Sequence, residues 1–265
     1  MTSYFQRLEA LTAARGRLCV GIDPHASLLH GWGLDDDVDG LERFSRAVVA
    51  ALADHVAAFK PQSAFFERFG SAGIAVLERV LGDIAQAGVV SLLDAKRGDI
   101  GSTMGGYAQA YLAEGAPLAV DAITLSPYLG YESLRPAIDL AASTGRGVYV
   151  LARTSNPEGG SVQLASSHGR SIAQQVVDLA QQDNAAGQHH VGLVVGGTHE
   201  DLGVDLAGFA GSVLVPGIGT QGGTLSGVAA RFGEVATLPT VSRQVLSAGP
   251  DSHALRDSVA QVLAT

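Results

Sequence analysis

The segment Asp94-Ala95-Lys96-Arg97-Gly98-Asp99 sets two carboxylates and a lysine within six residues, directly after the apolar run Val89-Val90-Ser91-Leu92-Leu93. On a strand, side chains two apart share a face. Asp94 and Lys96 therefore point the same way at the strand end, and the turn that follows can bring Asp99 back toward them. Neighbouring negative charge favours the charged form of a lysine. An ammonium group held in this way is a proton donor for a carbanion or an anchor for an anion. A plain salt-bridged strand end has the same composition.

Other apolar runs also end in polar groups. Arg17–Ile22 leads into Asp23-Pro24, Val56–Phe59 into Lys60-Pro61-Gln62, and Gly147–Leu151 into Arg153-Thr154-Ser155-Asn156-Pro157. Ser212–Val215 leads into Pro216-Gly217-Ile218-Gly219-Thr220-Gln221-Gly222-Gly223, and Val235–Val241 into Ser242-Arg243. Glycine-rich turns expose backbone N–H groups, a helix N-terminus adds partial positive charge, and an arginine fork matches phosphate oxygens. The last two segments thus point to a phosphate monoester. Gly217-x-Gly219-x-x-Gly222 also spells the dinucleotide fingerprint, but no Asp or Glu ends the following strand to take a ribose hydroxyl. Arg243 in that place keeps a phosphorylated dinucleotide as the lesser alternative.

The remaining chemistry-bearing residues read as structural. His189 and His190 are adjacent at a strand entrance, so they face opposite ways and cannot share a metal. His168 and His199 stand alone. Asp35-Asp36-Asp37 lacks the glycine turn and closing glutamate of a calcium loop. Ser126 and Ser155 have no His–Asp pattern near them. Cys19, the single cysteine, sits in Leu18-Cys19-Val20 and reads as a buried, inert thiol.

These groups need a frame that gathers strand ends. Eight short apolar runs recur: the five above, Val89–Leu93, Leu118–Thr124 and His190–Val195. Most are continuously apolar, as expected of parallel strands buried on both faces. Helical spacing runs between them over Leu41–Leu52, Ala72–Ala87, Thr103–Ala113, Glu132–Ala142, Ser161–Gln182 and Leu225–Arg231, more weakly over Glu200–Phe209, and finally over Ser252–Leu263. The alternation predicts a single (β/α)8 barrel domain over residues 1–265, with an N-terminal helix, about Ser3–Ala14, preceding strand 1. Pro24–Gly40 reads as a long first loop with a solvated tip. A net charge of −9 without a Lys/Arg cluster argues against nucleic acid as a partner. No segment approaches the roughly 20 apolar residues of a membrane span, and the chain reads as soluble and cytoplasmic.

Asp94-x-Lys96-x-x-Asp99-Ile100 resembles the signature of the orotidine 5′-phosphate decarboxylase family. Gly21-Ile22-Asp23-Pro24, Phe59-Lys60-Pro61-Gln62, Leu125-Ser126-Pro127-Tyr128-Leu129-Gly130, Arg153-Thr154-Ser155-Asn156-Pro157 and Val215-Pro216-Gly217-Ile218-Gly219 extend the likeness over almost the whole chain. The wording around Lys60 and Asp94 looks like the longer bacterial subgroup, type 2. The resemblance implies decarboxylation of orotidine 5′-phosphate to UMP in pyrimidine synthesis by a homodimeric barrel without metal or cofactor. It implies that Lys96 protonates C6 while Asp94 holds the lysine and crowds the substrate carboxylate. Asp99 and Thr103 are then expected to reach the partner subunit's site. By the same likeness Asp23 and Lys60 bind ribose hydroxyls and Ser155 binds the pyrimidine. Gln221 bridges base and phosphate, and Arg243, with Pro216 and Ser242 beside it, takes the phosphate. A related barrel, a sugar-phosphate decarboxylase or hexulose-phosphate synthase, shares the acid–lysine layout but uses magnesium. A catalytically dead nucleotide-binding barrel is the non-enzyme reading.

Overall fold

The computed structural model describes residues 2–219 and 222–265. Ten strands are present among them: β1 Cys19–Ile22, β2 Ala58–Pro61, β3 Val90–Arg97, β4 Ala122–Leu125, β5 Gly147–Arg153, β6 Ser166–Ser167, β7 Arg170–Ser171, β8 Val191–Val195, β9 Val213–Val215 and β10 Thr237–Val241. Eight of these close a barrel in the order β1-β10-β9-β8-β5-β4-β3-β2. Every pairing around the ring is parallel. The (β/α)8 expectation is therefore met. Closure leaves no strand edge, and burial on both faces explains why the strands read as unbroken apolar runs.

Inside the ring, Cys19, Ala58, Val90, Leu92, Ala122, Tyr149, Val194, Leu214 and Leu238 form one buried cluster. A second core lies between the strands and the outer helices. The helix Tyr4–Arg15 begins with a capping box in which the Ser3 hydroxyl accepts from the Gln6 N–H. It closes the floor of the barrel. Tyr4 meets Tyr149 edge-on with ring centroids 6.1 Å apart, and their hydroxyls lie 2.8 Å apart. Two glycines make room: a Cβ on Gly147 would come within 2.5 Å of the Tyr4 ring, and one on Gly192 within 2.6 Å of Tyr149. Burial pushes the Cys19 thiol up to about 12, in keeping with an inert core cysteine.

Three stretches depart from the sequence expectation. Ser161–Gln182 is not one helix: a short turn Gly160–Gln163 leads into the hairpin β6–β7, and the long helix covers Ile172–Asn184. His168 (φ 53°) and Gly169 (φ 77°) form the left-handed turn of that hairpin. Ser171 then caps the helix by accepting from the Gln174 N–H. Glu200–Phe209 holds no helix, because Asp201 and Asp205 accept the N–H groups of Gly203 and Ala207 and divert the backbone into local turns. Pro24–Gly40 contains the helix Ala26–Gly31 and is anchored rather than solvated at Trp32, which is buried and donates to the Leu246 carbonyl at 2.8 Å. The acidic run is exposed, as are Ser27, His30, Gly31 and Gly33, and Asp36 pairs there with Arg68.

Candidate active site

Register fixes which residues meet at the mouth. Gly21 lies opposite Lys60 in the β1–β2 ladder, and beyond it Gln62 bridges to Asp94. Asp23, Lys60, Gln62, Asp94 and Lys96 are thereby brought to the C-terminal ends of three neighbouring strands. Asp94 is the hub. Its Oδ2 accepts from Lys60 Nζ and from Gln62 Nε2, each at 3.0 Å. Its Oδ1 accepts from Lys96 Nζ at 2.6 Å and from the Thr124 hydroxyl at 3.0 Å.

The two lysines on this carboxylate differ in burial. The Lys60 side chain is 7% exposed and that of Lys96 47%, with Asp94 between them at 12%. Burial alone would disfavour the charge on Asp94, but the ammonium groups of Lys60 and Lys96 outweigh it and hold the carboxyl well below the usual carboxylate range. Burial likewise opposes the charge on Lys60, yet Asp94 and Asp23 hold it above the ordinary lysine value. The result is a saturated buried ion pair carrying one half-exposed amine, which faces a cleft of about 530 Å³ lined by Asp23, Gln62, Asp94, Lys96 and Arg97 among others. A larger groove of about 690 Å³, bordered by Leu206, Phe209 and Phe232, contains none of these groups.

Asp23 and Ser242 stand beside each other: a Cβ on Gly21 would lie 3.0 Å from Ser242 Cβ and 3.1 Å from Asp23 Oδ2. Asp23 Oδ1 and Ser242 Oγ are buried with no hydrogen-bond partner among the described residues. Ser155 follows β5, pressed so closely on the end of β8 that a Cβ on Gly196 would come within 2.7 Å of its Cα. The Pro216 carbonyl accepts the Gly197 N–H at 3.1 Å. Arg243 is exposed, follows Ser242 as the first residue of a four-residue helix, and forms no ion pair among the described residues. Gln221 lies outside the described residues. Each of the others occupies the same barrel end, but among the described residues no hydrogen bond ties Ser155, Pro216, Ser242 or Arg243 to the Asp94 cluster.

Asp99 does not turn back to Lys96 as spacing alone suggests. It accepts the Ile100 N–H at 2.8 Å and precedes the helix Gly101–Leu112, on which Thr103 is exposed. Within one chain the acid–lysine group is therefore Asp94 with Lys60 and Lys96. Two members of the site carry no role in the sequence reading, Gln62 and Thr124. Gln62 stands in a quoted motif, whereas Thr124 looks like any β-branched strand residue. His189 stacks on Phe5 with ring centroids 5.4 Å apart, and His190 is buried. Both precede β8, at the opposite end of the barrel from the cluster.

Residues 16–258 match the model of the orotidine 5′-phosphate decarboxylase / HUMPS family. The chain belongs to that family. It is 55% identical over 269 residues to the orotidine 5′-phosphate decarboxylase of Salinispora arenicola, an alignment covering 100% of this chain and 97% of that protein. The enzyme of the same name from Streptomyces coelicolor is 54% identical over 261 residues, covering 97% and 94% of the two chains. A crystal structure from Streptomyces avermitilis, bearing that enzyme name, superposes with a TM-score of 0.96 at 51% identity and covers 100% of this chain and 94% of its own. Among the described residues of this family member, no helix is long and apolar enough to cross a membrane.

Proposed function

We propose that this decarboxylase converts orotidine 5′-phosphate to UMP and carbon dioxide in pyrimidine synthesis, with Lys96 as the proton donor. The observation that carries the reading is the half-exposed Lys96 amine held 2.6 Å from a buried carboxylate whose other acceptor positions are already occupied. Breaking the C6–carboxylate bond leaves its electron pair on C6, where the ring offers no position to delocalise it. A fixed positive group beside C6 stabilises that charge as it develops and then delivers the proton. Asp94 orients the amine and crowds the departing carboxylate.

The remaining assignments rest on the family resemblance. The unpaired, buried Asp23 Oδ1 suits a ribose hydroxyl donor, and Lys60 adjoins it. Ser155 addresses the pyrimidine, while Pro216, Ser242 and Arg243 address the phosphate, with Gln221 between base and phosphate. Phosphate held at a distance supplies binding energy for closure around the base. Asp99 and Thr103 complete the site of a second copy in a homodimer. The exposed apolar side chains Ile100 (62%), Tyr128 (79%) and Leu129 (53%) on the adjoining loops favour that arrangement. Neither metal nor cofactor takes part in this reading: two ammonium groups occupy the carboxylate that a cation would need.

A spectrophotometric assay on orotidine 5′-phosphate, run with and without chelator, tests the proposal. We expect decarboxylation that persists with chelator. No turnover, or turnover abolished by chelation, overturns it. Lys96→Ala should nearly abolish turnover while UMP still binds.

A further inference from the structure

We infer that Thr124 is a positioning residue for Lys96, acting through the backbone of β3 rather than through contact with substrate. The β3–β4 ladder pairs Leu93 with Ile123 and then Arg97 with Leu125. Three residues, Asp94 to Lys96, therefore stand opposite Thr124 alone, so β3 bulges at the point where the chemistry is placed. Inside this bulge Lys96 adopts φ 48°, a left-handed conformation that is unfavourable for a residue with a Cβ. Something must hold it there.

The Thr124 side chain does so. Its Oγ1 accepts the N–H of Ala95 at 3.0 Å and that of Lys96 at 2.9 Å, the two donors that the bulge takes off the ladder. The hydroxyl proton goes to Asp94 Oδ1 at 3.0 Å, the same oxygen that receives Lys96 Nζ. One hydroxyl thus fixes the Lys96 backbone and the carboxylate that aims its amine. Thr124 is 1% exposed and lies outside the lining of the cleft, so it has no route to the ligand. N–H groups withdrawn from water and left without an acceptor are destabilising. A chain lacking the hydroxyl relieves that cost by relaxing the bulge, which moves Lys96.

The inference rests on Lys96 being the proton donor. Thr124→Val keeps the shape and removes the acceptor; Thr124→Ser keeps the acceptor. A misplacement of about 1 Å can cost about 100-fold in rate. Thr124→Val should therefore lose on the order of 100-fold in kcat with little change in KM or UMP affinity, and Thr124→Ser should recover most of it. Wild-type kcat in Thr124→Val, or equal loss in both variants, overturns the inference. Should Thr124→Val not fold, hydrogen exchange on the wild-type enzyme decides. Ala95 and Lys96 amides protected like the barrel ladder support the anchor, and exchange at loop rates overturns it. Lys96→Ala run in parallel separates the two levels. A dead Lys96→Ala beside an unaffected Thr124→Val removes the Thr124 role alone, whereas an active Lys96→Ala removes the proton-donor reading and this inference with it.

Discussion

Asp94 shows how one side chain serves both folding and chemistry. With Lys60 it forms a buried ion pair, and removing one partner of such a pair typically costs about 3–5 kcal/mol because the other charge is left alone. Asp94→Asn should destabilise the protein by an amount of that order at neutral pH, measured by urea unfolding. The pH dependence follows from the direction of the shift. A carboxyl depressed in the folded state contributes stability above its unfolded pKa, near 4, and loses that contribution as pH falls through the lower folded value. The gap between wild type and Asp94→Asn should therefore narrow only on acidifying below about pH 4. Lys60 acts at the other limit: its raised value makes its contribution complete below the ordinary lysine pKa and lost only as pH rises past the folded one. Arg243, exposed and without an ion pair among the described residues, has no comparable part in stability. Arg243→Ala should weaken binding of UMP about ten-fold or more, the scale of a charge-assisted hydrogen bond, and leave uridine binding unchanged in a titration of both ligands.

At the level of elements, the barrel divides into a working end and a sealed end. Loops after the strands carry the charged groups, while the helix Tyr4–Arg15 plugs the floor with Tyr4, which is 2% exposed. Truncating a buried aromatic side chain costs about 3–5 kcal/mol. Tyr4→Ala should lower the unfolding midpoint by a corresponding amount while kcat at low denaturant stays near wild type, since Tyr4 touches no group of the mouth. A large loss of kcat with an unchanged midpoint would contradict this division. The hairpin β6–β7 is the element that helical periodicity concealed. The hairpin holds no apolar side chain of its own, and the left-handed His168-Gly169 turn and the Ser171 cap break the helical run that Ser161–Gln182 suggests.

For the whole molecule, the proposed sharing of sites between two copies turns on Asp99 and Thr103. Lys96 has Asp94 beside it, but Asp99 bonds its own helix entrance and Thr103 faces outward. If two copies share each site, mixing Lys96→Ala with Asp99→Ala subunits should restore activity at one of the two sites in every mixed dimer. No recovery after subunit exchange has been verified by mass would contradict the shared arrangement. The exposed Ile100, Tyr128 and Leu129 lie on the loops that would meet across such an interface.

The barrel, its eight apolar strands, the opening and closing helices and the polar strand ends were legible along the chain, because short-range periodicity and the Asp94-x-Lys96 spacing are local properties. How those ends combine emerged with the folded barrel. Ladder register put Lys60 and Gln62 on the same carboxylate as Lys96, and a bulge gave Thr124 its three bonds. The fold also turned Asp99 away from its sequence neighbours and buried Trp32 against the Leu246 carbonyl. Contacts between residues thirty or two hundred positions apart leave no trace in periodicity; they exist only once closure of the ring fixes which strand lies beside which.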